Sequence, residues 1–209
     1  MIVSAIVDSP DPDDQRTELT AAELRTLAHP LRIRIMTHLG GSAEPATSAA
    51  LARALGESTG ATSYHLRQLA KLGLITEVPG YGTARERGWR AGYRSLSLTP
   101  DSAQSTESQA ALWSLFAAVI AHDDEVTADF LRQRESYPVA WRDVFRFVNQ
   151  TLHLRPEEVD EVSARIQDVL ADYVRRDPAE RPEGAEPVYA VIRLTPAQTG
   201  EAQTEPDAT

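Results

Sequence analysis

The sequence predicts a mainly α-helical chain with a small β component, an α+β class, and three stretches carry that prediction. From Thr47 to Ile75 two amphipathic helical segments meet at a glycine. From Ile75 to Ala91 two short extended segments flank a Gly-rich turn, the pattern of a hairpin. From Glu107 apolar residues recur every three to four positions until Pro138 stops them, the pattern of a long helix.

Residues 1–19 carry Pro, Asp and Ser clusters and read as a flexible arm, with a short strand expected at Ile2–Val7. The start has no basic segment and an acidic continuation, unlike a signal peptide. Thr20 and Glu23 form a capping-box pattern that opens a helix running to about Ala28. Pro30 then opens a second helix with Leu31, Ile33, Ile35, Met36 and Leu39, ending near Gly40 and Gly41. His29, just before that proline, reads as a joint-packing or capping residue. No partner ligand lies at a metal-binding spacing from it.

After a linker at residues 43–46, Leu51, Ala54 and Leu55 give the first helix of the pair its apolar face, and Gly56 ends it. Ser58 or Thr59 caps the second helix, whose Leu66 and Leu69 fall on a buried face. The other face carries Thr59, Gly60, Ser63, Tyr64, Arg67 and Lys71, with no carboxylate between Ser58 and Lys71. Small groups first, then hydroxyl, aromatic and basic ones, suit a helix whose N-terminal turns enter the major groove while its cations meet phosphates. The plain alternative is one amphipathic pair among many in small helical domains. The hairpin that follows weighs against it: its turn, Pro79 to Thr83, leads into Arg85, Arg87 and Arg90. Those arginines suit a wing laid on phosphates or in the minor groove, the alternative being a solvated strand face. Together the elements read as a winged helix-turn-helix.

LAHPLRIRIMTHL at Leu27–Leu39, ATSYHLRQLAKLGLI at Ala61–Ile75 and RERGWRA at Arg85–Ala91 resemble the winged-helix repressors of the arsenical-resistance-regulator (ArsR) type. The likeness is to the branch common in actinobacteria with a C-terminal extension, and it covers residues 20 to 99 most strongly. It implies that the second helix is the recognition helix, with base and phosphate contacts on Thr59, Gly60, Ser63, Tyr64 and Arg67. It also implies that His65 packs rather than reads DNA. The family's cysteine metal site is missing, since the chain has no cysteine and Ser48–Leu55 is small and apolar.

Charge is divided by region. The 209-residue chain has a net charge of −10, yet residues 20–99 hold 10 Lys+Arg against 5 Asp+Glu and the remainder 11 against 26. The acidity lies outside the winged segment, so the whole-chain balance is a poor guide to its binding face. No apolar run approaches 18 residues, so no membrane span is expected. The lack of cysteine fits a cytoplasmic setting.

Tyr93, Leu96 and Leu98 lead out of the wing into a polar connection at residues 99–106. In the long helix Leu112, Phe116, Val119, Val126 and Phe130, widened by Leu115 and Ile120, make a stripe that calls for a partner. The expectation is the same helix of a second subunit, a homodimer, against packing on the chain's own C-terminal segment. His122, Asp123, Asp124 and Glu125 lie mid-helix, but no second histidine sits a turn away, and they read as a polar patch rather than a metal site. Loose alternation from Trp141 to Leu154 reads as one or two strands. Pro156 opens an amphipathic helix with Glu157 and Glu158 in its first turn and Arg175 and Arg176 in its last, and Val188–Leu194 reads as a closing strand. The expected organisation is thus an arm at 1–19, the winged helix at 20–99, a dimerisation and effector domain at 107–194 ending in a small strand-helix-strand unit, and a disordered tail at 195–209.

Trp113, Phe116, Phe130, Tyr137, Trp141, Phe145 and Phe147 could line a pocket for an unknown small-molecule effector or simply form core. No phosphate-binding Gly loop, nucleophile elbow or zinc-protease motif appears, and Ser63 and His65 are wrongly spaced for a nucleophile and its base. The expectation is not an enzyme, without cofactor or metal, but a dimeric regulator of duplex DNA. A winged-helix protein-interaction module, or a ligand-gated form of the regulator, stands beside it.

Overall fold

The computed structural model describes residues 20–42, 44–82, 86–92, 105–174 and 178–197. The N-terminal arm, Arg85, the lead-out from Tyr93 to Leu98, Arg175, Arg176 and the tail from residue 198 lie outside the described residues. The chain divides into two compact units, Met1–Arg134 and Glu135–Thr209.

In the first unit α1 (Ala21–Leu27) begins at the expected capping box: Glu23 N–H donates to Thr20 Oγ1 at 3.3 Å and Thr20 N–H to Glu23 Oε2 at 2.8 Å. Pro30 occupies the first position of α2 (Pro30–Gly41), where its missing N–H costs nothing, and His29 is the cap. A two-residue strand β1 (Ala46–Thr47) leads into α3 (Ser48–Leu55), which Gly56 ends at φ 67°, a left-handed conformation that costs glycine little. Ser58 rather than Thr59 caps α4 (Thr59–Lys71), its side chain accepting from Ala61 N–H at 3.2 Å. β2 (Ile75–Val78) and β3 (Gly88–Ala91) form the hairpin, with Glu77 opposite Trp89. β1 pairs with the other edge of β3, Ala46 opposite Trp89, giving an antiparallel sheet in the order β1-β3-β2.

One core joins these elements, built on Leu24, Ile35, Leu39, Leu51, Leu66, Leu69 and Trp89. Each carries an apolar side chain from the inner face of its element, and burial of that surface is the main force assembling them. On α3 the buried residues are Leu51 and Ala52, whereas Ala54, expected on that face, is exposed.

The long helix α5 (Thr106–Gln133) forms as expected, but its stripe is used differently. Ala111, Leu112, Leu115 and Val119 are buried in the same core, against α1 and α2 of their own chain. Ile120, Val126 and Phe130 of the expected stripe lie outside that core. The long helix packs within the first compact unit, which ends at Arg134.

In the second unit a short helix α6 (Val139–Arg142) and an amphipathic helix α7 (Pro156–Ala171) form. Among the described residues, neither the segment 144–155 nor 188–197 is a strand, so the expected strand-helix-strand unit is reduced to its helix. Alternation provides a face but not a neighbour. A strand persists only when its N–H and C=O groups find an edge to pair with, and isolated extended segments are marginal in water. Phe147 and Val148 remain 77% and 79% exposed, and Phe147 only stacks on Phe145, at 6.5 Å between centroids.

Candidate nucleic-acid interface

The turn between α3 and α4 is held from below. Arg34, on α2, donates through Nη2 to the Leu55 carbonyl and through Nη1 to Glu57 Oε1 at 3.0 Å. The first contact satisfies a carbonyl beyond the reach of α3's own N–H groups, and the second engages the carboxylate nearest the start of α4. No carboxylate lies in α4 itself, so its N-terminus keeps the partial positive charge of its unshared N–H groups.

The helix then sorts its side chains by face. Thr62, His65, Leu66 and Leu69 are buried, and Thr62 Oγ1 returns a bond to the Ser58 carbonyl at 3.0 Å. Thr59, Gly60, Tyr64, Arg67 and Lys71 are exposed and Ser63 is half-buried. Residues 60, 63, 64, 67 and 71 fall at helical spacing, so the expected contact residues do share one outward strip. Tyr64 is 50% exposed, and Arg67 lies back along the helix with Nε donating to the Ser63 carbonyl at 3.2 Å.

The wing places its arginines on a separate element. Its turn uses Gly80 and Gly82 at φ 77° and 94°. Tyr81 lies across Gly88, where an added Cβ would come within 2.4 Å of the Tyr81 ring, and this close approach explains the glycine at the start of β3. Arg87 and Arg90 are exposed. Arg87 pairs with Glu77 on β2 at 3.0 Å, a carboxylate that the sequence reading passed over. Arg85 is outside the described residues.

Sequence reasoning also missed Arg34, Tyr81 and the contact between His29 and His65. Only the glycine at position 88 left a local signal, since a glycine inside a strand marks a close approach. His65 is buried, as the resemblance implied, and its ring centroid lies 4.2 Å from that of His29. Burial, then the neighbouring His29 and Arg32, hold its imidazole below the ordinary histidine range, with Glu57 acting the other way.

On α5, His122 Nε2 lies 3.1 Å from Thr37 Oγ1, which ties the long helix to α2. Burial lowers its pKa, while Asp123 and Glu125 act the other way. Among the described residues no group of three or more metal-ligating side chains gathers, and no helix is long and apolar enough to cross a membrane.

Solved structures similar to this chain include one of MarR and two of MepR. Apo MarR from E. coli is 16% identical, with 73% of this chain and 79% of that one covered and a TM-score of 0.24. MepR, described as a transcription regulator of the Staphylococcus aureus multidrug efflux pump MepA, is 17% identical over 71% and 78%, also at 0.24. A complex of S. aureus MepR with DNA is 16% identical over 78% and 86%, at 0.26. Superposition this partial leaves the fold assignment to the elements themselves. No curated protein matches the chain. Residues 27–78, from the last residue of α1 through β2, match the family model of a helix-turn-helix domain, and with the β2–β3 hairpin behind it this chain carries a helix-turn-helix of the winged type.

Proposed function

We propose that the protein is a transcriptional regulator that binds duplex DNA in a sequence-specific way, with α4 as recognition helix and the hairpin at about 78–90 as wing. The observation that carries the reading is the outward strip of α4: exposed, free of carboxylate, and ending in Arg67 and Lys71 above a core that fixes the opposite face. Thr59, Gly60, Ser63, Tyr64 and Arg67 read base edges in this scheme. Lys71, Arg85, Arg87 and Arg90 supply phosphate affinity and salt dependence. The reading gives the protein no catalytic role.

The finer parts of the proposal are a homodimer, repression by covering a promoter, and an ArsR-type lineage. The lineage is supported by the residue likeness of the α2, α4 and β3 segments. For the dimer, Trp113, Ile120 and Leu131 of α5 remain exposed after the helix has packed on α1 and α2, and a second copy has apolar surface to cover there. Gating by a small molecule is a variant of the same reading. A protein-interaction module is the competing one, favoured by the apolar exposure of Phe147, Val148 and Val188.

Fluorescence anisotropy against a random-sequence duplex and the DNA upstream of the coding region, titrated in salt, tests the proposal. Tight binding to one duplex with a steep salt slope is the expected result. Absence of binding to both at low salt, together with an empty selection from random duplexes, would overturn it in favour of the interaction module.

A further inference from the structure

We propose that His65, seated against His29, is a proton-excluding joint that positions the recognition helix, so that mild acidification releases specific DNA. Both histidines act through α4 and are positioning residues. The DNA part of the inference rests on the function proposed above; the joint itself does not.

His29 is the N-cap of α2, and its Nδ1 accepts from Leu31 N–H at 3.2 Å. That bond turns the Nδ1 lone pair toward the start of α2. His65, on the inner face of α4, lies against it with the rings tilted by 40°. His65 is 8% exposed and its buried Nδ1 has no hydrogen-bond partner. Arg32, one turn along α2 and equally buried, brings a guanidinium to the same joint, where Nη1 donates to the Thr26 carbonyl.

The groups facing His65 are therefore His29 and Arg32 from α2, Glu57 from the turn, and Tyr64 from α4 itself, its ring edge-on at 5.1 Å. The carboxylate is already engaged by Arg34. A proton on His65 would put a second buried cation beside Arg32. That proton is accepted only when α2 and α4 part, and parting tilts the strip that carries Ser63, Tyr64 and Arg67.

The sign follows from linkage. The folded-state pKa of His65 is lowered, so its contribution to the closed joint is complete above the ordinary histidine range and is lost as pH falls through the folded value. Simple electrostatics has the opposite sign: positive charge gained by the protein in acid tightens binding to DNA. The direction of the pH effect therefore separates the joint from general charge.

The experiment uses the full chain and a duplex selected from a random pool, with anisotropy followed from about pH 7.5 to about pH 5.5 at constant ionic strength. In parallel, imidazole NMR follows His29 and His65 in the free protein. Specific affinity is expected to fall on acidification, by at most about tenfold per pH unit for one excluded proton. The His29→Asn/His65→Phe variant, which retains a capping group and a ring but cannot take up the protons, is expected to lose this dependence. A variant as acid-sensitive as the parent, or a parent that binds more tightly in acid, overturns the proposal. If that variant does not fold, His29→Asn alone is expected to raise the His65 midpoint, and an unchanged midpoint overturns the pairing. If no duplex binds at any pH, the DNA reading fails and NMR decides the joint. A His65 midpoint below the ordinary range, with α4 amide signals moving in step, supports the joint, and one at or above that range overturns it.

Discussion

Replacing Arg34 by alanine tests how the turn that presents α4 is held. Its guanidinium makes two contacts of different kinds: a charged donor on the Leu55 carbonyl and an ion pair with Glu57 at 3.0 Å. A hydrogen bond from a charged group is worth about 1.5–3 kcal/mol. The two side chains of the ion pair are 32% and 34% exposed, so screening reduces that contribution to about 0.5 kcal/mol. Arg34→Ala should therefore cost about 2–3 kcal/mol, and with a urea m-value of about 2 kcal/mol/M the midpoint should fall by about 1 M. Arg34→Lys keeps the charge near Glu57 but cannot serve both acceptors, and should lose about half as much. Glu57→Gln should lose only about 0.5 kcal/mol. Urea titration followed by the fluorescence of buried Trp89 reads all three. A cost for Glu57→Gln equal to that for Arg34→Ala would place the energy in the ion pair and refute the reasoning; so would an Arg34→Ala variant as stable as the parent.

Arg67→Ala should relax preference among duplexes, while Arg87→Ala should weaken all duplexes alike and reduce the salt slope by about one; equal behaviour of the two in parallel anisotropy titrations would sink the division between base and phosphate contacts. Gly88→Ala forces its Cβ against Tyr81 and should cost about 1–3 kcal/mol in the same urea assay, regained in part by adding Tyr81→Ala. An uncompensated double variant would mean that Tyr81 is not the obstacle. On α7, the backbone N–H and then the side chain of Arg155 bond Glu158 and hold its carboxyl below the ordinary glutamate range. The cap's contribution is present above the ordinary range and is lost as pH falls through the lowered value. Helical circular dichroism should show an acid-side loss that Glu158→Gln abolishes, and an unchanged acid transition would remove the carboxylate from the account.

Much of the winged segment was legible because its signals are local. Thr20 with Glu23, Pro30, and Gly56 before Ser58 each act within four residues along the chain, where helix geometry leaves few options. The outward strip of α4 was legible for the same reason: a period of 3.6 residues places positions 60, 63, 64, 67 and 71 together whatever else the chain does. The groups that hold this strip in place were not legible. Arg34 and Glu57 are 23 residues apart, and Glu77 and Arg87 are 10 apart across a turn. His29 and His65 meet only because α2 and α4 share a core. Such pairs carry no periodicity.

By itself, the sequence determined the inward and outward faces of α4, where α1 to α5 begin, and that the acidity lies outside the winged segment. Tertiary structure decided what each face meets. It buried Leu112, Leu115 and Val119 of α5 against the chain's own α1 and α2, a neighbour that the stripe alone did not name. It also left the alternating segments at 144–155 and 188–194 without a ladder. The reason is physical: a helix satisfies its backbone hydrogen bonds within itself and can be read locally, whereas a strand or an apolar face is completed only by a neighbour, and pattern alone does not name the neighbour.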